Sequence, residues 1–382
     1  MPGEIEMTAQ NASVGAEAGQ PFDEYNVSII NESDLDCNSF CLNCDIDESY
    51  LHTVSMTKLF DDAYESKPPI IDGLLYRDTY LFVGSPKIGK SFLMAQLAYH
   101  ISTGTKLWGF DVRQGKVLYL ALEDDYPRLQ KRMYRMFGTA ENDNLFFAVT
   151  AHQLGQGLDD QLDSFLSKHP ETSLVIIDTL QKVREVGGDS YSYANDYQII
   201  TNLKGFTDRH NICMLIVHHT RKQAADDKFD MISGTNGLLG AADGAFILSK
   251  DKRTSNNATL EVSGRDQQDQ RVLLKKNAET LAWELDKIET ELWKEPPEPL
   301  LERIAELINE ANPSWSGTPT ELCNYLSFDI KPSAITQKLN VNVNRLKDEY
   351  KLAYHYKRTH EGRKITLTFQ GGVSERDTRD SV

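Results

Sequence analysis

The sequence has no uninterrupted apolar stretch of the roughly 18 residues that a membrane-spanning helix requires. Its first ten residues, MPGEIEMTAQ, contain two glutamates and neither lysine nor arginine, unlike the basic and then apolar start of a secretory signal. These two absences predict a cytoplasmic protein with no membrane partner.

Cysteine is also scarce, since 382 residues contain only five, which is too few for a disulfide framework. Three of them, Cys37, Cys41 and Cys44, form a C-x₃-C-x₂-C pattern near the N-terminus. One interpretation is a [4Fe–4S] centre like that of radical S-adenosylmethionine enzymes, although those enzymes need a barrel after the cluster. A second is a zinc site with His52 as its fourth ligand. The third, which we expect, is thiols without a ligand in a flexible acidic segment.

Lysine and arginine are almost absent from the first 66 residues, which contain fourteen aspartates and glutamates and one basic residue, Lys58. This segment therefore carries a charge of −13 out of a total of −16. Few of its apolar residues are periodic, so we expect residues 1–66 to be mostly disordered, with a short amphipathic helix at 57–63. By contrast, residues 323–370 contain nine basic and four acidic residues, and this excess keeps nucleic acid among the candidate partners.

Residues 81–91, LFVGSPKIGKS, contain the pattern G-x-x-x-x-G-K-S, which is typical of a phosphate-binding loop between a strand and a helix. Gly84 and Gly89 allow the backbone to turn its N–H groups toward the phosphates. In such loops the lysine, here Lys90, reaches the β- and γ-phosphates, and the serine, Ser91, binds Mg²⁺. The predicted cofactors are therefore ATP and Mg²⁺, and the alternative is an ordinary glycine-rich turn. The predicted nucleotide-binding residues are Gly84, Ser85, Pro86, Lys87, Ile88, Gly89, Lys90, Ser91 and Phe92.

Strands and helices alternate after this loop. The apolar stretches predict strands at 116–122, 145–150, 174–178 and 213–217, with helices at about 127–137 and 159–168. This alternation predicts an α/β fold in which a mostly parallel sheet has helices on both faces. Ligands of such sheets bind at the carboxyl ends of the strands, so the polar residues at these ends are the candidate site residues.

Acidic and histidine residues stand at these strand ends. Asp178 follows four apolar residues and is the candidate Walker B residue that binds Mg²⁺, with a helix N-cap as the alternative. Because Thr179 rather than a glutamate comes next, another acid must orient the attacking water, and Glu123 on the neighbouring strand is the best placed. His219 is the candidate that hydrogen-bonds the γ-phosphate and responds when it leaves. A metal ligand or an ordinary surface residue is the alternative for this histidine.

Three or four shorter β-like runs between residues 245 and 284 predict a meander appended to the parallel sheet. Arg265 lies at a turn between two of these runs. A guanidinium there is a candidate arginine finger for the nucleotide of a neighbouring subunit, because it stabilises charge on the transferred phosphoryl group. The alternative is an exposed arginine without a catalytic role.

A chain of this length predicts two or three domains, and the proline-rich stretch at 291–299 predicts a linker after a nucleotide-binding domain at 67–290. Residues 300–370 predict helices and a β-hairpin, which is typical of a winged helix, and residues 371–382 predict a disordered tail. Its last helix and hairpin carry the basic residues Lys338, Arg345, Lys347, Lys357, Arg358, Arg363 and Lys364. These predict contacts with DNA phosphates, and the alternative is a winged helix that binds protein.

Several of these segments together resemble a known family. The stretches GSPKIGKS, LALED, LVIIDT and IVHHTRK, followed by SGTNGLLGAAD and SGRD, are similar to the RecA-like ATPases of the plasmid replicative helicase RepA group. Such proteins are often described as AAA family ATPases of mobile elements. The resemblance covers about residues 68–287, and residues 300–370 resemble the small C-terminal domains of mobile-element replication proteins.

This resemblance implies a RecA-like ATPase core plus a small winged-helix domain. It further implies a ring, commonly a hexamer, that binds ATP between subunits and unwinds DNA in the 5′-to-3′ direction. The implied roles are phosphate and Mg²⁺ binding for Lys90 and Ser91, Walker B for Asp178, catalytic base for Glu123, sensor for His219 and finger for Arg265. The long acidic start and the C-terminal extension differ from the compact plasmid helicases. An ATP-switched DNA-binding regulator or loader that does not unwind DNA is therefore the alternative function.

Overall fold

A computed structural model describes residues 51, 53–65, 68–184, 193–219, 237–252, 254–265, 267–290, 296–359 and 362–371. The cysteine cluster, His52, most of the acidic start, most of the linker and the tail lie outside these residues. The chain divides into two compact units, Met1–Ser55 and Met56–Val382. In the first unit only residues 51 and 53–55 are described, and they belong to no helix or strand.

Nine strands form one sheet in the order β3-β2-β4-β5-β1-β6-β7-β8-β9. The strands are β1 (Thr79–Gly84), β2 (Lys116–Ala121), β3 (Leu145–Ala148), β4 (Thr172–Asp178), β5 (Cys213–His219), β6 (Gly244–Ser249), β7 (Asn257–Gly264), β8 (Gln267–Lys276) and β9 (Trp283–Ile288). The first six in this spatial order pair in parallel, and β7, β8 and β9 continue the sheet as an antiparallel meander. The predicted α/β fold with an appended meander is confirmed.

Helices cover both faces of this sheet. One face packs against α2 (Lys90–Thr103) and α3 (Tyr126–Phe137). The other packs against α4 (Leu158–Lys168), α5 (Leu180–Val183), α6 (Tyr193–His210) and α7 (Gly237–Ala241). Strands β1 and β4 are buried along their whole length, which explains the apolar runs at 80–83 and 174–177 within them. Both faces of the central strands are therefore used for packing, and only the strand ends can carry a polar site.

Residues 299–369, which lie within the second compact unit and which we call the C-terminal unit, have their own apolar core. This unit contains α8 (Pro299–Leu307), β10 (Ser314–Gly317), α9 (Pro319–Leu326), α10 (Pro332–Val341), α11 (Val343–Asp348), β11 (Leu352–Thr359) and β12 (Gly362–Phe369). The strands form an antiparallel sheet in the order β10-β12-β11. Thr318 begins α9 with a capping box, since its side chain and that of Glu321 each accept from the other's backbone N–H.

Several predicted boundaries were wrong in the meander and the C-terminal unit. The helix expected at about 333–350 is two helices, because the turn at Asn342 (φ −102°, ψ 20°) separates α10 from α11. The strand expected at 281–284 is β9, which begins later because Leu281 has a left-handed backbone (φ 63°). Strand β10 was not predicted at all, since its four residues depend on pairing with β12.

The short helix expected near residue 57 is present as α1 (Met56–Asp61). It packs against the C-terminal unit, although about 280 residues separate the two in sequence: the Asn340 side chain donates a 3.0 Å hydrogen bond to the carbonyl of Phe60. Arg363 also pairs with Asp61, with Nη2 and Oδ2 2.9 Å apart. Within the described part of the chain, no helix combines the length and hydropathy needed to cross a membrane.

Candidate active site

The loop between β1 and α2 is closed by Lys90. Its ammonium donates hydrogen bonds to the carbonyls of Gly84 (2.7 Å) and Ser85 (3.2 Å), so its side chain lies back across the loop. Lys90 is only 5% exposed. Burial lowers its pKa to about 8, and the negative charges of Asp178 and Glu123 oppose this shift. A buried ammonium whose hydrogen-bond acceptors are neutral is well prepared to exchange them for phosphate oxygens.

Both glycines of the loop are required by their surroundings. A Cβ at Gly84 would lie 2.6 Å from the carbonyl oxygen of Leu248 on β6. Gly89 has φ +107°, and a Cβ there would lie 2.9 Å from the ring of Trp283. The indole N–H of Trp283 in turn donates to the carbonyl of Gly89 at 3.3 Å. The meander therefore touches the phosphate-binding loop directly, which sequence reasoning did not predict.

Asp178 lies at the end of β4 and is 4% exposed. The hydroxyl of Tyr119 donates a 2.9 Å hydrogen bond to its Oδ2 atom, and the Ser91 side chain forms a second hydrogen bond with this carboxylate. Burial raises the pKa of Asp178, while these hydrogen bonds and Lys90 act in the opposite direction. A serine hydroxyl beside a carboxylate is an all-oxygen donor set, which is the kind of ligand that Mg²⁺ would take here.

Glu123 and His219 lie together on the side of the cavity that faces Lys90. The hydroxyl of Thr179 donates to Glu123 Oε1 (3.3 Å), and His219 Nε2 is 3.8 Å from the same oxygen. The Glu123 side chain is 48% exposed and that of His219 36% exposed. Glu123 is therefore held at the site by a hydroxyl, yet it remains accessible to a water molecule.

The ammonium of Lys90 also donates to Nδ1 of His219, at 2.9 Å. Burial, and then the charge of Lys90, lowers the pKa of His219, so the imidazole is neutral at pH 7. With Nδ1 as the acceptor, the N–H is on Nε2 and faces Glu123. A phosphate that attracts the ammonium of Lys90 would therefore break or weaken a contact of His219.

One cavity of about 360 Å³ joins these groups. It is lined by Lys87, Gly89, Lys90, Ser91, Phe92, Glu123, Asp124, Arg132, Asp178, His219 and Lys276. The structure thus brings together the predicted phosphate, metal, base and sensor residues from one loop and the ends of three strands. Two further cations of this cavity, Arg132 and Lys276, were not predicted, because they come from a helix surface and a meander strand.

Arg265 lies elsewhere. It follows Gly264, which pairs with Gly244 at the start of β6, whereas the phosphate-binding loop follows the carboxyl end of β1. The Arg265 side chain is 57% exposed and its Nη1 is 3.8 Å from Asp243 Oδ1. Arg265 therefore lies at the amino ends of the parallel strands, whereas the cavity of its own chain lies at their carboxyl ends. The predicted role as a finger toward a neighbouring subunit stays a prediction.

The remaining predicted alternatives concern metals and the C-terminal cations. In the described ranges, no group of three or more histidine, cysteine, aspartate or glutamate residues is arranged to hold a metal ion. Four of the seven cations predicted to contact DNA are paired with acids: Lys338 with Glu298, Arg345 with Glu349, Lys347 with Glu65 and Arg363 with Asp61. Lys357 and Lys364 are exposed and stand opposite each other in the hairpin. The Arg358 side chain lies outside the described residues.

Residues 47–225, slightly less than half of the chain, match the family model described as AAA domain. Two solved structures are similar to this chain at low sequence identity. One is the ATPase domain of the protein G40-P, which is 15% identical with a TM-score of 0.46, covering 55% of this chain and 84% of that one. The other is a DnaB-like replicative helicase described with its interactions with primase. The helicase is 18% identical with a TM-score of 0.45, covering 55% of this chain and 57% of that one. Among curated proteins, none matches the sequence. The strand order and the loop after β1 show a P-loop type of α/β fold, and residues 47–225 of the chain are similar to an AAA domain.

Proposed function

We propose that this protein hydrolyses ATP in the cavity at the carboxyl ends of β2, β4 and β5. The observation that carries this proposal is the convergence of Lys90, Asp178, Glu123 and His219 on one cavity. Each supplies a different function that phosphoryl transfer to water needs: a cation for the phosphates, a metal ligand, a base and a contact that responds to the γ-phosphate.

In this proposal Lys90 and the backbone N–H groups of residues 85 and 87–91 hold the phosphates, and Ser91 with Asp178 holds Mg²⁺. The metal ion supplies charge neutralisation of the phosphate oxygens when bound. Glu123 accepts a hydrogen bond from the attacking water and orients it in line with the β–γ bond. Thr179 keeps Glu123 at the site through its 3.3 Å hydrogen bond.

His219 links the presence of the γ-phosphate to β5 and to the chain that follows it. In the structure it accepts from Lys90 and lies near Glu123. A γ-phosphate between these groups would offer the Nε2–H a new acceptor, and its departure would return the imidazole to Lys90. This exchange gives the residues after β5, which lie outside the described part, a signal that depends on the nucleotide.

We further propose that ATP hydrolysis drives movement along DNA in a ring of subunits, as a replicative helicase of a plasmid or mobile element does. The support is the resemblance of the motif segments to the plasmid helicase group, together with the AAA-domain match. A ring would place Arg265 of one subunit at an interface, where it would act on the neighbour's nucleotide.

The C-terminal unit is proposed to be a winged helix that binds DNA. Its element order, with four helices before a hairpin and a short strand that pairs with the hairpin, supports this proposal. The exposed pair Lys357 and Lys364 on the hairpin would neutralise phosphates. Because other cations here are already paired with acids, the alternative of a protein-binding winged helix is kept.

One experiment separates the helicase from the ATP-switched regulator. ATP turnover is measured with and without single-stranded DNA, and a forked duplex is offered to the same preparation. Stimulated turnover with opening of the fork supports the helicase. Nucleotide-dependent DNA binding without opening supports the regulator, and the absence of any ATP binding or turnover rejects both.

A further inference from the structure

Lys276, the last residue of β8, reaches the cavity from the antiparallel part of the sheet. Its Nζ atom lies 4.0 Å from the centre of the Phe92 ring and 3.6 Å from the position that a Cβ at Gly89 would occupy. It lines the cavity beside these two residues. The ammonium is therefore in contact with the end of the phosphate-binding loop and the first turn of α2.

The position of Lys276 is determined by its cross-strand neighbour, Trp283. Gln96 of α2 exchanges two hydrogen bonds with the backbone of Trp283, at 2.7 and 2.8 Å. The indole N–H of Trp108 donates to the same carbonyl at 2.7 Å. These bonds attach β9, and with it the end of β8, to the helix that follows the loop. Lys276 is thus held at the cavity by its backbone, unlike a lysine on a free surface.

The surroundings of Lys276 are positively charged. Burial lowers its pKa, and the charges of Lys250, Arg135 and Arg132 lower it further. Within the described ranges, no carboxylate lies within ion-pair distance of its Nζ atom. Arg132, on the same cavity, differs because Asp124 neutralises it through two hydrogen bonds of 2.6 and 3.1 Å. A half-buried ammonium among other cations is unfavourable unless an anion binds beside it.

The position of Lys276 within the cavity indicates which phosphates of a bound nucleotide it would contact. Glu123 and His219 lie next to Lys90, so the transferred γ-phosphate belongs on that side. Lys276 is instead beside Gly89 and Phe92, where the loop becomes helix and its N–H groups hold the phosphates that are not transferred. A lysine has a flexible stem and a compact charge, so it can follow such a phosphate without a fixed geometry.

We propose that Lys276 binds the non-transferred phosphates of a nucleotide held by its own chain, and so connects the meander to the nucleotide site. This rests on the proposed function, because it assumes that the cavity takes a nucleoside triphosphate. Lys276 then contributes equally to the binding of ATP and ADP and does not take part in the chemical step.

The test uses the full chain with Lys276→Met, which removes the charge and keeps an unbranched side chain over Phe92. The matched control is Lys275→Met, since Lys275 is the adjacent residue, is exposed and points to the other face of the sheet. Dissociation constants for Mg-ATP and Mg-ADP are measured at two salt concentrations, with kcat measured alongside. We expect both constants to rise about tenfold in Lys276→Met, with less salt dependence and an unchanged kcat, and no change in Lys275→Met.

Restoration of nucleotide binding in Lys276→Arg would support a charge contact. The melting temperature of each variant distinguishes the loss of this contact from a loss of folded protein. Equal affinity of wild type and Lys276→Met for both nucleotides would overturn the proposal and leave Lys276 as a packing residue. Weakened ATP binding with normal ADP binding would also overturn it, because the contact would then be with the γ-phosphate. If the wild type binds neither nucleotide while remaining folded, the proposed function fails as well.

Discussion

The hydroxyl of Tyr119 donates a 2.9 Å hydrogen bond to Oδ2 of Asp178. Tyr119 stands opposite Ile176 in the β2–β4 register, so Asp178 is two residues further along the same face of the sheet. Burial, and then the charge of Asp178, raises the pKa of this tyrosine well above its usual value, so the hydroxyl stays protonated. A tyrosine within the buried part of β2 therefore orients the candidate Mg²⁺ ligand on the neighbouring strand β4.

We predict that Tyr119→Phe raises the Mg²⁺ concentration needed for half-maximal ATP hydrolysis by about tenfold. The variant leaves the carboxylate of Asp178 with the Ser91 hydroxyl as its remaining side-chain donor. Because hydrogen bonds to the charged form lower a carboxyl pKa, their loss raises it, and the acidic limb of the pH profile moves to higher pH. Titration of Mg²⁺ into metal-free protein at several pH values measures both effects.

Tyr80→Phe is the control for this variant. Tyr80 is as deeply buried as Tyr119, but its hydroxyl contacts Asp78 and Gln267, neither of which lines the cavity. An unchanged Mg²⁺ requirement in Tyr119→Phe, or an equal increase in Tyr80→Phe, would show that Tyr119 has only a packing role.

The parts of the site that the sequence predicts are those formed by contiguous residues or by parallel strand ends. The loop from Gly84 to Ser91 is a continuous pattern, and its strand and helix follow from apolar periodicity. The ends of parallel strands meet at one edge of a sheet, so Glu123, Asp178 and His219 could be assigned to one site before any geometry was known. The same reasoning gave the mostly parallel sheet and its appended meander.

The parts that could not be predicted depend on contacts between distant segments. Nothing in the residues around Trp283 indicates that β9 returns to cover Gly89, 194 positions away. Lys276 appears in the sequence as one of two consecutive lysines, and only the strand register places it at the cavity. The docking of α1 on the C-terminal unit joins segments 280 residues apart. Periodicity and motif spacing are local signals, and they do not specify such long-range packing.

We predict that Glu123→Gln retains ATP binding and lowers kcat by at least about a hundredfold. The amide keeps the shape of the side chain and its contact with Thr179, but it cannot accept a proton from the attacking water. Single-turnover kinetics and a nucleotide-binding assay on the same preparation separate the two effects. Turnover equal to that of the wild type would remove Glu123 from the mechanism.

Asp125→Asn is the control for the loss of an acidic charge near the site. Asp125 is two residues from Glu123, but it does not line the cavity, and its side chain accepts from the N–H of Arg128 as the N-cap of α3. Asparagine caps helices as well as aspartate does. We therefore expect wild-type stability and turnover in Asp125→Asn.

We predict that kcat/KM for ATP falls above about pH 8, because burial lowers the pKa of Lys90 to about 8 in the free protein. Above that pH the amine is neutral and attracts phosphate weakly. Bound phosphate favours the charged form, so the basic limb of kcat should lie at higher pH than that of kcat/KM. Lys90→Arg, whose guanidinium does not deprotonate, should lose this limb in whatever activity it retains, and Lys90→Ala should lose nucleotide binding. Coincident basic limbs for kcat and kcat/KM would contradict the assignment.

The last prediction concerns the pairing of α1 with the C-terminal unit. Asp61 holds Arg363, a residue of the hairpin that was predicted to contact DNA, and Glu65 lies 3.8 Å from Lys347 of α11. If this unit binds DNA phosphates, the acidic segment competes with them for the same cations. Asp61→Asn should therefore strengthen DNA binding by about threefold at low salt, with a smaller gain at physiological salt, as measured by fluorescence anisotropy with short oligonucleotides.

Asp62→Asn provides a matched comparison, because Asp62 pairs with Lys58 four residues earlier in the same segment. It removes the same charge from the neighbouring position without releasing Arg363. A gain in Asp61→Asn that is absent in Asp62→Asn, and that disappears when Arg363→Gln is added, would assign the effect to this ion pair. Equal gains in both single variants would instead indicate a general effect of negative charge, and no DNA binding by any of them would favour a protein partner for the C-terminal unit.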